Sequence, residues 1–420
     1  MFDCMSKNIA TVGALEMFNE RIVITGMGVV SSIGQDLTTF RESLMKGKCG
    51  VKPASMFNTE GFESVRACEI KDFDASLYVE NSHVEKLGRS SCFSIAAAKM
   101  ALEDAGLGRE ELVGSPIPVC MGTTDGESQS LDQLAKIWAT KSINHFDAEL
   151  VEQSNTSNLS NSISREFSLR GESVTISTAC SAGNYAIGHV YDLLRTGTAK
   201  MAICGGSDSV CRKTYSGFSR LGTIAPDKCQ PFDLNRKGIL TGEGAGVLVL
   251  ETLSSALERS ARIYAEVLGY GLNCDANHMV APSMESVANC IQLAHKNSGV
   301  KAEDVGYICA HGTGTIANDE TESGAISIVF DNKPPPVSSI KSMLGHTMGA
   351  ASAIASIACV LAIYHKFLPP TINHENFDDK CKVDCVPNKY RDAEINIAQN
   401  NGFAFGGNNA ITMYGAFRGR

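Results

Sequence analysis

Apolar positions along this chain follow two rhythms, period two and period 3.6, and the alternation between them runs through the chain twice. Residues 21–30 (Arg-Ile-Val-Ile-Thr-Gly-Met-Gly-Val-Val) predict a first strand ending in a glycine-rich turn. A helix is predicted over 36–45, another over 92–105 closed by Gly106, and a strand over 116–121 that feeds the turn 122–127. Residues 173–178 alternate β-branched and polar side chains, as a strand does. Small residues then open a helix carrying Tyr185, Ile187 and Val190 on one face. Further strands are predicted over 200–204, ending at Gly205-Gly206, and over 247–250. After Ala261 the series begins again: strand 263–268, helix 287–295, strands 305–310 and 337–340, helix 349–364, and strands 395–398 and 411–414. Strands alternating with helices predict an α/β protein with mostly parallel sheets. Two series of similar length predict duplicated halves, 21–261 and 262–420, behind an N-terminal extension, 1–20.

Composition narrows this picture. At 420 residues and 43% hydrophobic, the chain can bury one large core or two joined ones. A net charge of −9 argues against nucleic acid as a general partner, while leaving room for a local basic patch. The fifteen cysteines are scattered through apolar stretches with no CxxC, a pattern that suits reduced thiols in the cytoplasm. Residues 1–20 lack the basic start and continuous apolar core of a signal peptide. The apolar run 350–364 is too short and too rich in Ala and Ser for a membrane span, and predicts a buried helix.

Cys180 lies at the hinge between the strand 173–178 and its helix. A thiol there feels unpaired N–H groups and the positive end of the helix dipole, both of which favour the reactive thiolate. In a chain with so many cysteines, a buried structural thiol is an equal reading from local sequence alone. His311 stands at the exit of strand 305–310, within His-Gly-Thr-Gly-Thr315, where Thr313 and Thr315 place two hydroxyls on one side. Lys341 and His346 flank the loop that opens the apolar helix. A helix N-terminus lowers a neighbouring imidazole's pKa, and a neutral imidazole can donate to a developing oxyanion. The bland readings are a solvated loop lysine and a capping histidine. Residues 400–409, Asn-Asn-Gly-Phe-Ala-Phe-Gly-Gly-Asn-Asn, place Phe403 and Phe405 in a loop able to pack aromatics over a cavity. No HExxH or paired Cys/His spacing favours a metal, and no GxSxG elbow favours a serine hydrolase.

TACSAG around Cys180, HGTGT at 311–315, KSMLGH at 341–346 and GFAFGGNN at 402–409, in that order, resemble the type II β-ketoacyl-acyl-carrier-protein synthases. The likeness runs from about residue 21 to the C-terminus. It implies the thiolase-like fold, with duplicated halves in five α-β-α-β-α layers, and a homodimer or a heterodimer with a ketosynthase-like paralogue. It implies that Cys180 accepts an acyl group from a carrier-protein thioester, and that His311 and His346 assist decarboxylation of a malonyl thioester, whose carbanion attacks the acyl group. By the same resemblance the N–H groups of Cys180 and Phe405 form the oxyanion hole. Thr313 and Thr315 hold the phosphopantetheine arm, which belongs to the acyl carrier protein and is not a cofactor of this chain.

Three departures from the family pattern bear on specificity. Ala355 stands where a glutamate usually pairs with the lysine, here Lys341. Asp125 aligns with an apolar floor of the acyl pocket, which predicts a short, polar or aromatic acyl group, or a pocket remodelled at a dimer interface. Ala404 and Asn408 replace a Gly and a Thr of the gating loop and predict a stiffer gate. Together they tilt the reading from housekeeping fatty-acid synthesis towards a type II polyketide or polyene pathway. Lys86, Arg89, Arg212 and Lys213 are candidates for docking the acidic carrier. The competing readings are an acyltransferase or cyclase that does not elongate, a non-catalytic chain-length partner, which would lack Cys180, and a thiolase acting on coenzyme A, which would want a second catalytic cysteine.

Overall fold

The computed structural model describes residues 20–79 and 84–419. Of the extension expected over 1–20, all but Glu20 lies outside the described residues. Ten strands form one continuous sheet: β1 (Ile22–Ser31), β2 (Val119–Gly122), β3 (Ser173–Ile176), β4 (Met201–Asp208), β5 (Gly244–Thr252), β6 (Ala265–Cys274), β7 (Tyr307–Cys309), β8 (Val337–Ser338), β9 (Ile397–Phe403) and β10 (Asn408–Gly415). The helices that matter for the site are α1 (Arg89–Asp104), α2 (Ser128–Thr140), α3 (Asn158–Glu166), α4 (Ala182–Arg195), α5 (Arg212–Arg220), α6 (Met284–Ser298), α7 (Ile316–Val329) and α8 (Ala351–His365).

The strand order is β8-β7-β9-β10-β6-β1-β5-β4-β2-β3. Counted outward from the centre, the first half reads first, fifth, fourth, second, third strand, and so does the second. Pairing sense repeats as well. The two central pairings of each half are antiparallel and the two outer ones parallel. The halves meet where β1 pairs antiparallel with β6. Duplication is therefore plain in topology, although the sequence shows no residue-level repeat. The expectation of a mostly parallel sheet needs correction. β9 and β10 are joined by the short turn 404–407, which can only fold the chain back antiparallel. Helices intervene in the chain between β2 and β3 and between β7 and β8, which pair in parallel.

Helices α4 and α8 lie between the two halves of the sheet. α4 packs on β2 and β4, α8 on β5 and β9, and the two touch each other. Outside them, α1 and α3 cover the first half, and α6 and α7 the second. This is the α-β-α-β-α layering of a thiolase-like fold. Helix α8 is apolar on every side and buried from Ala351 to Ile363. The stretch Met348–His365 is long and apolar enough to cross a membrane by composition, and 89% of it is buried inside the protein, as a core helix is.

Gly205 and Gly206 mark another correction, since they sit inside β4 rather than at its end. A Cβ on Gly205 would lie 2.1 Å from the Gly246 carbonyl oxygen, and one on Gly206 would lie 2.6 Å from that of Gly349. Glycine is required here by close approach of backbones, not by a turn.

Candidate active site

Cys180 sits in a single 3-10 turn, Ala179–Ser181, between β3 and α4. The preceding Ala179 has φ of +52°, a left-handed conformation that lifts the sulfur out of the strand direction. Its thiol is 5% exposed, and burial pushes its pKa up to about 12. Lys341 opposes this, as do the N–H groups of Cys180 and Phe405, while Asp208 reinforces it. The expectation that a helix N-terminus would leave a thiolate is thus reversed. The helix proper begins at Ala182, and desolvation outweighs the favourable field. The resting sulfur is a thiol, with two backbone donors already directed at it.

His311 and His346 come from the other half. Their ring centroids are 5.5 Å apart and nearly perpendicular, at 82°. Burial, first, and then the charge of Lys341 hold both pKa values well below the ordinary imidazole value. Both rings are neutral near pH 7. The N–H of Met348 donates to His346 Nδ1 at 3.0 Å. That contact uses the Nδ1 lone pair, so the ring proton sits on Nε2, available as a donor. The Phe403 ring lies 5.5 Å from that of His311.

The turn carrying His311 is held from behind by Glu322 of α7. Its buried carboxylate accepts the N–H of His311 at 2.8 Å, the N–H of Gly312 at 2.7 Å and Asn401 Nδ2 at 2.9 Å. Thr313 and Thr315 share a hydrogen bond between hydroxyls at 2.8 Å. The Thr315 hydroxyl also caps α7.

These groups open on one cavity of about 260 Å³. Cys180, His311, Thr313, Thr315, His346, Phe403 and Phe405 all line it, as do Phe218 and Leu221 at the end of α5 and the loop 278–282. Phe405 is 37% exposed at the mouth, with its ring 5.5 Å from that of Phe218. In the gating turn the left-handed positions are Gly406 and Gly407, at φ +88° and +80°, and Ala404 is not among them. Alanine at 404 therefore adds no backbone strain.

Four expected residues sit elsewhere. Lys341 is 4% exposed and does not line the cavity; its charge acts on Cys180, His311 and His346 through the protein. Among the described residues it makes no ion pair. Ala355 is packed in the apolar core, and the buried carboxylate that acts on Lys341 is Glu322. Asp125 does not line this cavity. It forms an ion pair with Lys213 at 2.7 Å and accepts from the Thr214 hydroxyl, which pins the start of α5. That pairing also occupies Lys213. Arg89 is bound to the fully buried Glu243 at 2.7 Å and to the Ile70 carbonyl at 2.6 Å, a structural role rather than a docking one. Lys86 and Arg212 remain exposed.

Glu322, Asp208 and Phe218 were not singled out from the sequence. Phe218 had a local signal, an aromatic in a short helix, but nothing local ties it to Phe405. Glu322 and Asp208 act on residues brought near only by the fold.

Comparison with known proteins gives a consistent picture. The family Beta-ketoacyl synthase, N-terminal domain, matches residues 19–256, and Beta-ketoacyl synthase, C-terminal domain, matches 264–375. A 3-oxoacyl-(acyl-carrier-protein) synthase 2 of Synechocystis sp. is 36% identical over 94% of this chain and 98% of its own. Nodulation protein E of Rhizobium meliloti is 34% identical over 94% and 99%. Among solved structures, the ishigamide ketosynthase/chain length factor is 47% identical with a TM-score of 0.93, covering 95% of this chain and 99% of that one. A type II PKS acyl-carrier protein in complex with its ketosynthase bound to the hexaketide (AntDE:AntF) is 29% identical with a TM-score of 0.86, covering 95% and 99%.

Proposed function

The chain belongs to the β-ketoacyl synthase family, an acyltransferase class, and from that premise we propose that it elongates acyl chains on Cys180 in a type II polyketide pathway. One observation carries the reading. A thiol, two neutral imidazoles and two backbone N–H donors converge on one apolar cavity whose mouth is lined by aromatic side chains.

In the first step the Cys180 sulfur attacks the carbonyl of an acyl-carrier thioester. The new carbon–sulfur bond forms, the carrier's thiol leaves, and the Cys180 proton goes to it. The N–H groups of Cys180 and Phe405 stabilise the tetrahedral oxyanion. In the second step a malonyl thioester occupies the cavity with its carbonyl oxygen near the Nε2–H of His346 and the His311 ring. Carbon dioxide departs, and the enolate that remains is stabilised by neutral donors. Its carbon attacks the Cys180 thioester, and the sulfur leaves as a thiolate that takes a proton from water to restore the thiol. Thr313 and Thr315 receive the phosphopantetheine arm of the incoming carrier.

An acyl carrier protein is the substrate-bearing partner, and a second ketosynthase-fold chain the subunit partner. The 47% identity with the ishigamide ketosynthase/chain length factor exceeds the 36% with a 3-oxoacyl-(acyl-carrier-protein) synthase 2, and the AntDE:AntF neighbour is a type II PKS ketosynthase; both support a polyketide rather than a housekeeping fatty-acid role. With Asp125 held by Lys213, its carboxylate gives no argument for a short or polar acyl group.

Intact-mass analysis across a panel of acyl-carrier thioesters tests the reading. Wild type is expected to gain one acyl group and to release carbon dioxide from malonyl carrier, while Cys180→Ala gains no acyl group. Acyl transfer without carbon dioxide release would make it a non-elongating acyltransferase.

A further inference from the structure

Asp208 closes β4 with its side chain only 1% exposed, and the steps above do not use it. One carboxylate oxygen accepts the Thr123 hydroxyl at 2.7 Å and the N–H of Asp125 at 3.2 Å. The other accepts the N–H of Thr124 at 2.8 Å and the N–H of Gly349 at 2.6 Å. Three of these donors belong to the turn after β2, in the same half as Cys180. The fourth belongs to the 3-10 turn Met348–Ala350, in the half that carries His346.

That turn is the one that orients His346. The Met348 N–H meets Nδ1 of the imidazole, and the next N–H along the chain, that of Gly349, meets Asp208. The turn has no slack. Met348 is held at φ +51°, and a Cβ on Gly349 would lie 2.4 Å from Thr123 backbone atoms. Moving the Asp208 carboxylate therefore moves the Met348–Gly349 peptide, the next along the chain from the one whose N–H fixes the imidazole. Among the described residues no cation pairs with Asp208; its four partners are neutral donors, and burial pushes its pKa up to about 7.

We infer that Asp208 is a positioning residue: it registers His346 against Cys180 across the two halves. The inference rests on the functional reading above for one of its readouts and is independent of it for the other. Backbone amides of both halves converge on one carboxylate, so neither half can shift alone without losing a buried bond.

The test compares wild type, Asp208→Asn and Asp208→Glu on two half-reactions. In Asp208→Asn one acceptor oxygen becomes a donor that faces backbone N–H groups. Its kcat for carbon dioxide release from malonyl carrier should fall by about ten- to a hundred-fold with KM unchanged, as expected for a misplaced donor. Alkylation of Cys180 by iodoacetamide at fixed pH should stay close to the wild-type rate, because the sulfur itself keeps its place. Asp208→Glu retains the charge but is one methylene longer. It should lose decarboxylation while keeping the wild-type alkylation rate, and it serves the test even where the Asn variant does not fold. Equal losses in both half-reactions, or an effect confined to KM, would overturn the inference. Should wild type release no carbon dioxide, the functional reading fails, and the His346 imidazole resonances of the three proteins still decide whether Asp208 positions that ring.

Discussion

Lys341 shows how a residue outside the cavity governs those within it. Its ammonium lowers the pKa of Cys180 and of both histidines, while its own pKa is lowered by burial. Replacing it with methionine keeps the stem and removes the charge. Without that charge the thiol becomes harder to ionise, so acyl transfer to Cys180 slows. The histidine pKa values rise towards the ordinary value near 6.5. Neutral imidazole is then lost at a higher pH on acidification, and the acid limb of the decarboxylation rate moves upward in pH. A pH–rate profile of carbon dioxide release for Lys341→Met, set beside wild type, checks the direction. An acid limb that stays in place would mean that burial alone keeps the rings neutral. At this scale the sequence was most informative where chemistry is compressed into short motifs: Cys180, His311 and His346 each sit within a few residues of the glycines and threonines that shape their turns. It was least informative for Asp208 and Glu322, whose partners are as far away as Gly349 and Asn401. It misjudged the Cys180 thiol because a helix dipole can be read from local order, whereas desolvation depends on what the rest of the chain packs around the sulfur.

At the scale of elements, the two central helices meet through small residues. A Cβ on Gly183 would lie 2.6 Å from the Ala353 nitrogen and 2.8 Å from its Cβ. Gly183 follows Cys180 by three residues, and Ala353 follows His346 by seven, so the contact sets how far apart the nucleophile and the donor stand. Gly183→Ala is expected to destabilise the protein by about 1–3 kcal/mol through overpacking. It should also slow condensation, since separating α4 from α8 separates the two groups. Denaturant melts and a condensation assay on the same preparation check both effects; an unchanged pair of values would show slack at this crossing. The strands and the apolar helix α8 were readable from periodicity, as was α6. Helix α7 was not, and the reason is physical. It turns Asn318, Asp319, Glu322 and Ser323 inward to hold the turns of the site, which inverts the pattern of an amphipathic helix. Helix α5 buries only Tyr215, too little to leave a periodic signal.

For the molecule as a whole, the sheet ends in a free edge at β3, the strand that leads to Cys180. Before that strand the chain carries α2 and the segments after it, where Trp138 is 70% exposed, Ile143 65% and Val151 45%. Large apolar side chains clustered in one stretch of surface mark an interface more often than isolated ones do. A second ketosynthase-fold chain is the occupant expected here, as a like copy or a paralogue. Trp138 is the only tryptophan in the sequence, so its emission reports this face without a label. The emission maximum should be solvent-like at high dilution and move to shorter wavelength as the subunits associate. Trp138→Arg should raise the dissociation constant measured by sedimentation, because a buried guanidinium without a partner is costly to desolvate. Since Trp138 does not line the catalytic cavity, alkylation of Cys180 in that variant should keep its wild-type rate. A dimer whose tryptophan still emits as if in water would place the interface on another face, and the exposed apolar side chains of α2 would then need a different cover.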